Sequence, residues 1–237
     1  RLSQHATTTD AALWVSQAIA NVTCNNAPAG CFSTSTVRDA LVAMSQYATT
    51  ADATRWVAGA LYNVTLGDDS SVSECFCTLS VRDALVAMSR YATSDYVCNV
   101  TQDNNSSASE CFCVPTVRDA LVALSQYATT DYAALWVSRT IANVTCNDAP
   151  AGCFSTSTVR DALVAMSQYA TTANATRWVA GALSNVTRGD DSSVSECFCT
   201  LSVRDALVAM SQYATTANAT RWVAGCAGRN VAIRNDG

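Results

Sequence analysis

The five-residue sequence VRDAL recurs along the chain, and this recurrence restricts the possible folds more than any other feature. It begins at Val37, Val81, Val117, Val159 and Val203, at steps of 44, 36, 42 and 44 residues. Steps of this size are typical of stacked helical units, each of which buries its apolar face on its neighbours. Residues 11–93 also match residues 133–215 almost letter for letter at an offset of 122. The chain therefore consists of two super-units, 11–132 and 133–237.

Each VRDAL segment predicts the first helix of a unit. In the first copy the apolar residues fall on one face at the helical period, at Val37, Ala40, Leu41, Met44 and Ala48. A hydroxyl residue precedes each segment and stands three residues before an Asp, as Thr36 does before Asp39. This spacing predicts an N-terminal cap, and the acid also suits the positive start of a helix.

A second helix is predicted from Ala53 to Val64, with Asp52, or Asn174 in the copy, as its N-cap. Trp56 lies on the apolar face of this helix, so we expect it and its equivalents to pack in the core. An aromatic stripe that binds a sugar or a peptide is the alternative. Neither helix, at about 12 residues, would be stable alone in water, so each unit needs its neighbours.

The ends of the second helices resemble a known repeat family. GALYNVT at residues 59–65 and GALSNVT at 181–187 are similar to the final helix of armadillo repeats, and the two-helix unit resembles HEAT repeats. The resemblance implies an all-α fold, a superhelical α-solenoid of about five to six two-helix repeats with Cys-containing loops between them. It implies one elongated repeat domain over 1–237, with a truncated repeat at 81–113.

The cysteines predict an oxidising compartment, because their number is even and ten of the twelve stand in pairs in the loops between units. The predicted disulfide cysteines are Cys24, Cys31, Cys75, Cys77, Cys98, Cys111, Cys113, Cys146, Cys153, Cys197, Cys199 and Cys226. Cys24–Cys31 and Cys146–Cys153 are candidate local bridges. A bridge within Cys-Phe-Cys would be strained, which favours pairing across neighbouring loops. Reduced thiols in an intracellular scaffold remain the alternative, and zinc is disfavoured because no His accompanies the pairs.

Nine N-x-Ser/Thr sequons point to the same compartment. The predicted N-glycosylation sites are Asn21, Asn63, Asn99, Asn104, Asn105, Asn143, Asn174, Asn185 and Asn218. A structural interpretation stays open for some of them. Asn63 and its equivalents could be the helix-end Asn of an armadillo repeat, and Asn174 and Asn218 could be helix caps. The turns rich in Ser and Thr are candidates for O-glycans.

Composition and motifs argue against several functions. A net charge of −5 and a pI near 4.7 disfavour nucleic acid as a partner, and no apolar run is long enough to span a membrane. The single His5 replaces a Tyr of the repeat, which favours packing over catalysis. The Arg-Asp pair of each first helix predicts a ladder of ion pairs and caps between units. We therefore expect no catalytic, cofactor-binding or metal-binding residues, and no enzyme.

The repeats, the sequons and the absence of polar end caps predict a structural subunit. We expect an extracellular glycosylated fibre or surface coat, secreted or at the cell surface, whose subunits join head to tail through uncapped solenoid ends. Its partners would be copies of itself and attached glycans. Two alternatives stay open: a secreted or cell-surface solenoid that binds a peptide or glycan, and an intracellular armadillo-type scaffold for protein interactions.

Overall fold

The computed structural model of the chain describes residues 5–23, 32–65, 75–76, 78–89, 91, 112–146, 153–188 and 197–235, with the backbone alone at residues 65 and 228–235. Across these ranges the protein is all-α, with ten helices and no strand. The helices are α1 (Thr9–Thr23), α2 (Ser35–Ser45), α3 (Ala51–Thr65), α4 (Leu79–Met88), α5 (Pro115–Ser125), α6 (Asp131–Val144), α7 (Ser157–Ser167), α8 (Ala173–Val186), α9 (Leu201–Ser211) and α10 (Ala217–Asn235).

The chain divides into two compact units, residues 1–112 with α1–α4 and residues 113–237 with α5–α10. The boundary falls at the end of the predicted truncated repeat 81–113. Of that repeat, α4 is described and residues 92–111 lie outside the described part.

Helices of the same type pack side by side within each unit. In the second unit the first helices α5, α7 and α9 contact one another in chain order, and so do the second helices α6, α8 and α10. Each first helix there also packs on the second helix that follows it. In the first unit α1 packs on α3, and α2 packs on α4. This neighbour-to-neighbour packing is compatible with a helical repeat.

The first helices begin two residues earlier than the capping pattern predicts. Thr34, not Thr36, is the N-cap of α2, and its side chain accepts a hydrogen bond from the backbone N–H of Val37. Thr78, Thr156 and Thr200 cap α4, α7 and α9 in the same way. Helix α5 has Val114 at this position with Pro115 at its first turn. A Pro is tolerated there because the first N–H groups of a helix have no partner within it.

The caps of the second helices also differ from the prediction. The hydroxyl of Thr172 accepts a hydrogen bond from the Ala175 N–H at 3.3 Å, so Thr172 is the N-cap of α8. Asn174 therefore lies inside the first turn and is exposed. Asp52 likewise lies in the first turn of α3, where the Thr50 hydroxyl accepts from the Ala53 N–H.

The core contains the predicted apolar face of the first helices. It also contains phenylalanines that precede these helices, which the helical period does not predict. Leu163 and Met166 of α7 are fully buried. The Phe that precedes each described first helix of the second unit is buried as well, as Phe154 and Phe198 show at 0% and 1% exposure. These Phe side chains anchor the loop before each helix, where no helical period exists to reveal them.

The tryptophans are not core residues, contrary to the sequence-based expectation. Trp14 is 66% exposed and its four equivalents are half-buried. The core face of the second helices is instead made of Ala, Val and Leu, as at Val179 and Leu183. Three of the Trp rings, those of Trp56, Trp136 and Trp178, have an arginine on their face. The guanidinium of Arg139 lies 4.9 Å from the Trp136 centroid and 5.1 Å from the Trp178 centroid.

The Arg-Asp pairs lie within single helices and do not join units by ion pairing. In each first helix the Arg contacts the Asp that follows it, as Arg160 does Asp161 at 2.7 Å. The link between neighbours comes from the guanidinium and a backbone carbonyl. Arg160 Nη1 donates to the Cys197 carbonyl at 2.8 Å, and Arg118 donates to the Cys153 carbonyl at 3.2 Å.

Candidate functional site

A groove of about 410 Å³ lies between α9 and α10. We call it the α9–α10 groove. Leu201, Val208, Val223 and Ala224 give it an apolar lining, and Arg204 lies at its edge. Leu201 and Val208 are 57% and 66% exposed, so the groove presents apolar side chains to solvent. Exposed apolar surface of this kind is typical of a protein contact.

The equivalent surface one repeat earlier, between α7 and α8, is covered. Its residues in the register of Ser211, Thr220 and Ala224 are all buried: Ser167, Thr176 and Ala180, at 8%, 0% and 0% exposure. Helices α9 and α10 pack against α7 and α8. The α9–α10 groove is therefore the equivalent of the surface that α9 and α10 cover on the preceding helix pair.

The arginine at this edge shows the same difference. The side chain of Arg160 is 19% exposed and donates to the Cys197 carbonyl of the following loop. The side chain of Arg204 is 59% exposed, and the described contacts of its guanidinium are to the Asp205 carboxylate, the closest at 2.7 Å. The guanidinium of Arg204 is thus accessible to a backbone carbonyl acceptor of the kind that Arg160 contacts.

A tryptophan–glycine contact joins neighbouring second helices. A Cβ added to Gly181 would lie 3.9 Å from Trp222 Cδ2, so the Trp222 ring packs on the glycine of the preceding helix. Gly225 is the equivalent glycine on α10. Among the described residues, nothing outside the backbone of α10 itself lies within 4 Å of a Cβ placed there, so no ring packs on it as Trp222 packs on Gly181.

Helix α1 carries the tryptophan equivalent to Trp222, and this tryptophan is exposed. Trp14, Ala18 and Val22 follow one another at four-residue steps and are all exposed, Trp14 by 66% and Val22 by 54%. We call them the α1 face. Ala12 and Ser16 of α1 are buried, and α1 packs on α3. On α8 the residues equivalent to Ala18 and Val22 are Ala182 and Val186, which are both fully buried.

Two of the predicted glycosylation sites are structural residues in this conformation. Asn185 is 4% exposed, and its Nδ2 donates to the Ala142 carbonyl of the preceding second helix at 2.9 Å. Asn63 donates to the Ala20 carbonyl in the same way, also at 2.9 Å. An N-glycan is attached to the same Nδ2 atom, so the contact and the sugar compete for it.

The other predicted sites divide into three groups. Asn21, Asn174 and Asn218 are exposed. Asn143 is half-buried, and its Nδ2 atom is buried without a hydrogen-bond partner. Asn99, Asn104 and Asn105 lie outside the described residues.

Seven of the predicted disulfide cysteines lie in the described part, and no disulfide bond joins any two of them. They are Cys75, Cys113, Cys146, Cys153, Cys197, Cys199 and Cys226. The thiol of Cys113 donates a hydrogen bond to the sulfur of Cys153, and burial raises the pKa of both thiols, that of Cys113 to about 11. The remaining predicted positions, Cys24, Cys31, Cys77, Cys98 and Cys111, are outside the described ranges.

A metal-binding site has no geometric basis in the described ranges. No three His, Cys, Asp or Glu side chains there are grouped closely enough to hold a metal ion. His5 is exposed. None of the helices in this part combines the length and the apolar composition needed to cross a membrane.

Comparison of the chain with protein-family models, with curated proteins and with solved structures finds no match. The class of protein is defined by the fold alone: an all-α protein in which each helix packs on neighbouring helices. Assignment to the armadillo or HEAT repeats is a proposal.

Proposed function

We propose that this protein is a structural subunit of an extracellular, glycosylated fibre or surface coat. Its armadillo/HEAT-like repeats form an α-solenoid, and its copies join head to tail. In the joint, the α1 face of one copy covers the α9–α10 groove of the next. The observation that carries the proposal is the packing of Trp222 on Gly181, because both halves of that contact are exposed elsewhere, at Trp14 and at Gly225.

The apolar surfaces give this joint its driving force. Burying a large apolar side chain stabilises an interface by about 1.5–3 kcal/mol, and Trp14, Val22, Leu201 and Val208 are all more than half exposed. The two surfaces differ, so the contact is heterologous and continues from copy to copy. Such contacts build filaments when they do not close into a ring.

Exposed sequons fit a polymer that must stay soluble. Asn174 and Asn218 lie in the first turns of α8 and α10, and both are exposed. Glycans there would shield the sides of a fibre and leave its ends free to join. The loop cysteines suit the same oxidising compartment.

The joint is tested by two variants that each remove one half of it. Trp14→Ala removes the ring, and Gly225→Leu fills the place that receives it. Each variant alone should stay monomeric by analytical ultracentrifugation under conditions in which the wild-type chain polymerises. An equal mixture should form dimers and stop there, because one intact groove meets one intact α1 face.

The control is Tyr127→Ala, which removes an aromatic side chain that is 67% exposed but lies outside both surfaces. It should polymerise like the wild type. A wild-type chain that stays monomeric at high concentration contradicts the proposal, and so does a mixture of the two variants that gives no dimer.

The compartment is tested by the intact mass of protein from its native source, before and after enzymatic removal of N-glycans and without reductant. A large mass loss on deglycosylation supports the extracellular assignment. A mass at the bare 24.9 kDa of the polypeptide, with all thiols reduced, would favour an intracellular scaffold.

A peptide- or glycan-binding role is the second candidate, and one surface of the second unit favours it. Arg139 lies between the rings of Trp136 and Trp178, and Tyr132 packs edge-on against Trp136 at 5.9 Å. The buried Trp136 Nε1 has no hydrogen-bond partner among the residues that the structure describes. Half-buried aromatic rings with a polar edge are suited to both ligand types. Binding of oligosaccharides or peptides should quench tryptophan fluorescence, and Trp178→Ala should abolish the effect.

A further inference from the structure

Cys113 and Cys153 lie together at the junction of two neighbouring repeats. Cys113 stands four residues before Val117, and Cys153 stands six residues before Val159, so they come from different loops. Two independent contacts place them side by side. Helix α5 packs on α7, and Arg118 Nη1 donates to the backbone carbonyl of Cys153 itself at 3.2 Å.

We propose that Cys113 and Cys153 form a disulfide bond that links the repeat beginning at α5 to the repeat beginning at α7. The two sulfur atoms are already within hydrogen-bonding distance of each other. The bond replaces the local Cys146–Cys153 bridge that the sequence suggests, since Cys153 can pair only once. It agrees with the alternative of pairing across neighbouring loops.

The residues at equivalent positions explain why a disulfide between repeats is possible at the junction of α5 and α7 but not at the junction of α7 and α9. Cys197 occupies the same place before α9 that Cys153 occupies before α7, and Arg160 fixes its carbonyl in the same way, at 2.8 Å. The residue at the position of Cys113 in that repeat is Ser155, whose hydroxyl donates to the Val186 carbonyl at 2.6 Å. The junction of α7 and α9 therefore lacks the second sulfur that the junction of α5 and α7 has.

Formation of the bond needs a disulfide oxidant, and glutathione disulfide serves. The thiolate of one cysteine attacks the oxidant and releases one glutathione thiolate, which leaves a mixed disulfide. The thiolate of the other cysteine then attacks the protein sulfur and releases the second glutathione. Both cysteines lose a proton, the protein loses two electrons, and one glutathione disulfide becomes two glutathione thiols.

The burial of both thiols makes this reaction strongly dependent on pH. The raised pKa of Cys113, about 11 against an ordinary value of 9.0, keeps it protonated near neutrality, and only thiolates exchange. The oxidation should therefore accelerate as the pH rises towards 11. A disulfide, once formed, is held between two packed first helices.

The inference deepens the proposed function and rests on it only for the oxidising compartment. The test begins with the reduced full-length chain and glutathione disulfide. Digestion at Arg, Phe and Asp isolates Cys113 in the peptide 113–118 and Cys153 in the peptide 148–154, and Cys146 falls in neither. Mass spectrometry should find these two peptides joined. Cys153→Ser should remove the joined pair, and Cys146→Ser should leave it intact.

Joining of Cys153 to Cys146, or of Cys113 to Cys197, overturns the assignment. Thermal unfolding gives a second readout, since oxidation should raise the unfolding temperature of the wild type and of Cys146→Ser, but not of Cys113→Ser. Oxidation that leaves the wild-type unfolding temperature unchanged also contradicts a bond between repeats. If the disulfide forms in vitro but the thiols of native material are reduced, the pairing of Cys113 with Cys153 is supported and the extracellular function is contradicted.

Discussion

The helix pairs α7–α8 and α9–α10 have nearly the same sequence, yet some of their equivalent residues differ sharply in exposure. Ala180 is fully buried and Ala224 is exposed, and the arginine side chains are 19% exposed at Arg160 and 59% exposed at Arg204. The difference comes from what packs on each pair. Burial in a repeat protein is a property of the neighbour as much as of the unit itself.

The same sequence therefore has different consequences in the two helix pairs, depending on whether a neighbouring helix covers it. A buried position contributes to the stability of the fold, whereas its exposed equivalent is available for assembly. Each substitution can therefore be made twice, once at α7–α8 and once at α9–α10, with the second as the matched control of the first.

A charge at the two alanines should give the largest difference. Ala180→Asp places an unpaired carboxylate in the interior, which costs about 3–5 kcal/mol, so this variant should be largely unfolded by circular dichroism. Ala224→Asp should leave the helix content and the unfolding temperature unchanged and should prevent polymerisation in the ultracentrifuge. Equal stability of the two variants would show that the burial of α7–α8 is wrong.

The helix-end asparagine should give the next largest effect. Asn185→Ala leaves the buried Ala142 carbonyl without its donor, which costs about 1–3 kcal/mol in unfolding free energy. The exposed Asn174 serves as the control, because Asn174→Ala should change the stability by less than about 0.5 kcal/mol. Urea unfolding of protein made without glycans measures both.

The same two asparagines should differ in glycan occupancy. We expect peptide mapping of native material to find sugar on Asn174 and none on Asn185, because the Nδ2 of Asn185 is used inside the fold. A glycan on Asn185 would mean that the contact to Ala142 does not form in the native protein.

The arginines that reach across to the next loop should give a smaller difference. Arg160→Ala removes the hydrogen bond to the Cys197 carbonyl at 2.8 Å, and a charged donor of this kind is worth about 1.5–3 kcal/mol before solvent screening reduces it. We expect a loss near the lower limit in thermal unfolding. Arg204→Ala should leave the unfolding of the monomer unchanged, and a comparable loss in both variants would contradict the assigned roles.

The sequence predicts the helices well because the helical period of the apolar residues can be recognised within each segment, and the same pattern recurs in every repeat. The apolar faces of Leu163 and Met166 and the helical class are of this kind. The N-caps were misplaced because two hydroxyl residues precede each segment, at Thr156 and Thr158 for example, and the spacing to the Asp favours the wrong one. In the structure, Asp161 pairs with the adjacent Arg160 instead.

The candidate site could be predicted only in outline. The repeat predicts that second helices pack on one another, but it does not predict that a ring packs on the glycine of the preceding helix, because a glycine gives no apolar signal. The position of the tryptophans was wrong for a related reason. Helical period places Trp178 on the apolar side of α8, and the structure has it half-buried beside Arg139 and Arg177.

The smallest expected effect concerns a carboxylate of one helix that caps the start of the next second helix. The Asp131 carboxylate of α6 accepts hydrogen bonds from the N–H groups of Thr171 and Thr172, at 2.8 and 2.9 Å, and so supports the start of α8. The equivalent position before α10 is Ala173, which has no carboxylate. Removing a side-chain acceptor from the start of a helix typically costs about 1 kcal/mol.

Asp131→Ala should therefore lower the unfolding free energy by about 1 kcal/mol, and Ala173→Asp should supply α10 with the support that α8 already has. Hydrogen exchange should report each change locally, with faster exchange at the start of α8 in the first variant and slower exchange at the start of α10 in the second. The second variant is the sharper test, because a stabilising substitution cannot result from general damage to the fold. If the backbone of α10 starts as that of α8 does, the new carboxylate meets the N–H groups of Thr215 and Thr216, and unchanged exchange there would show that the two starts differ.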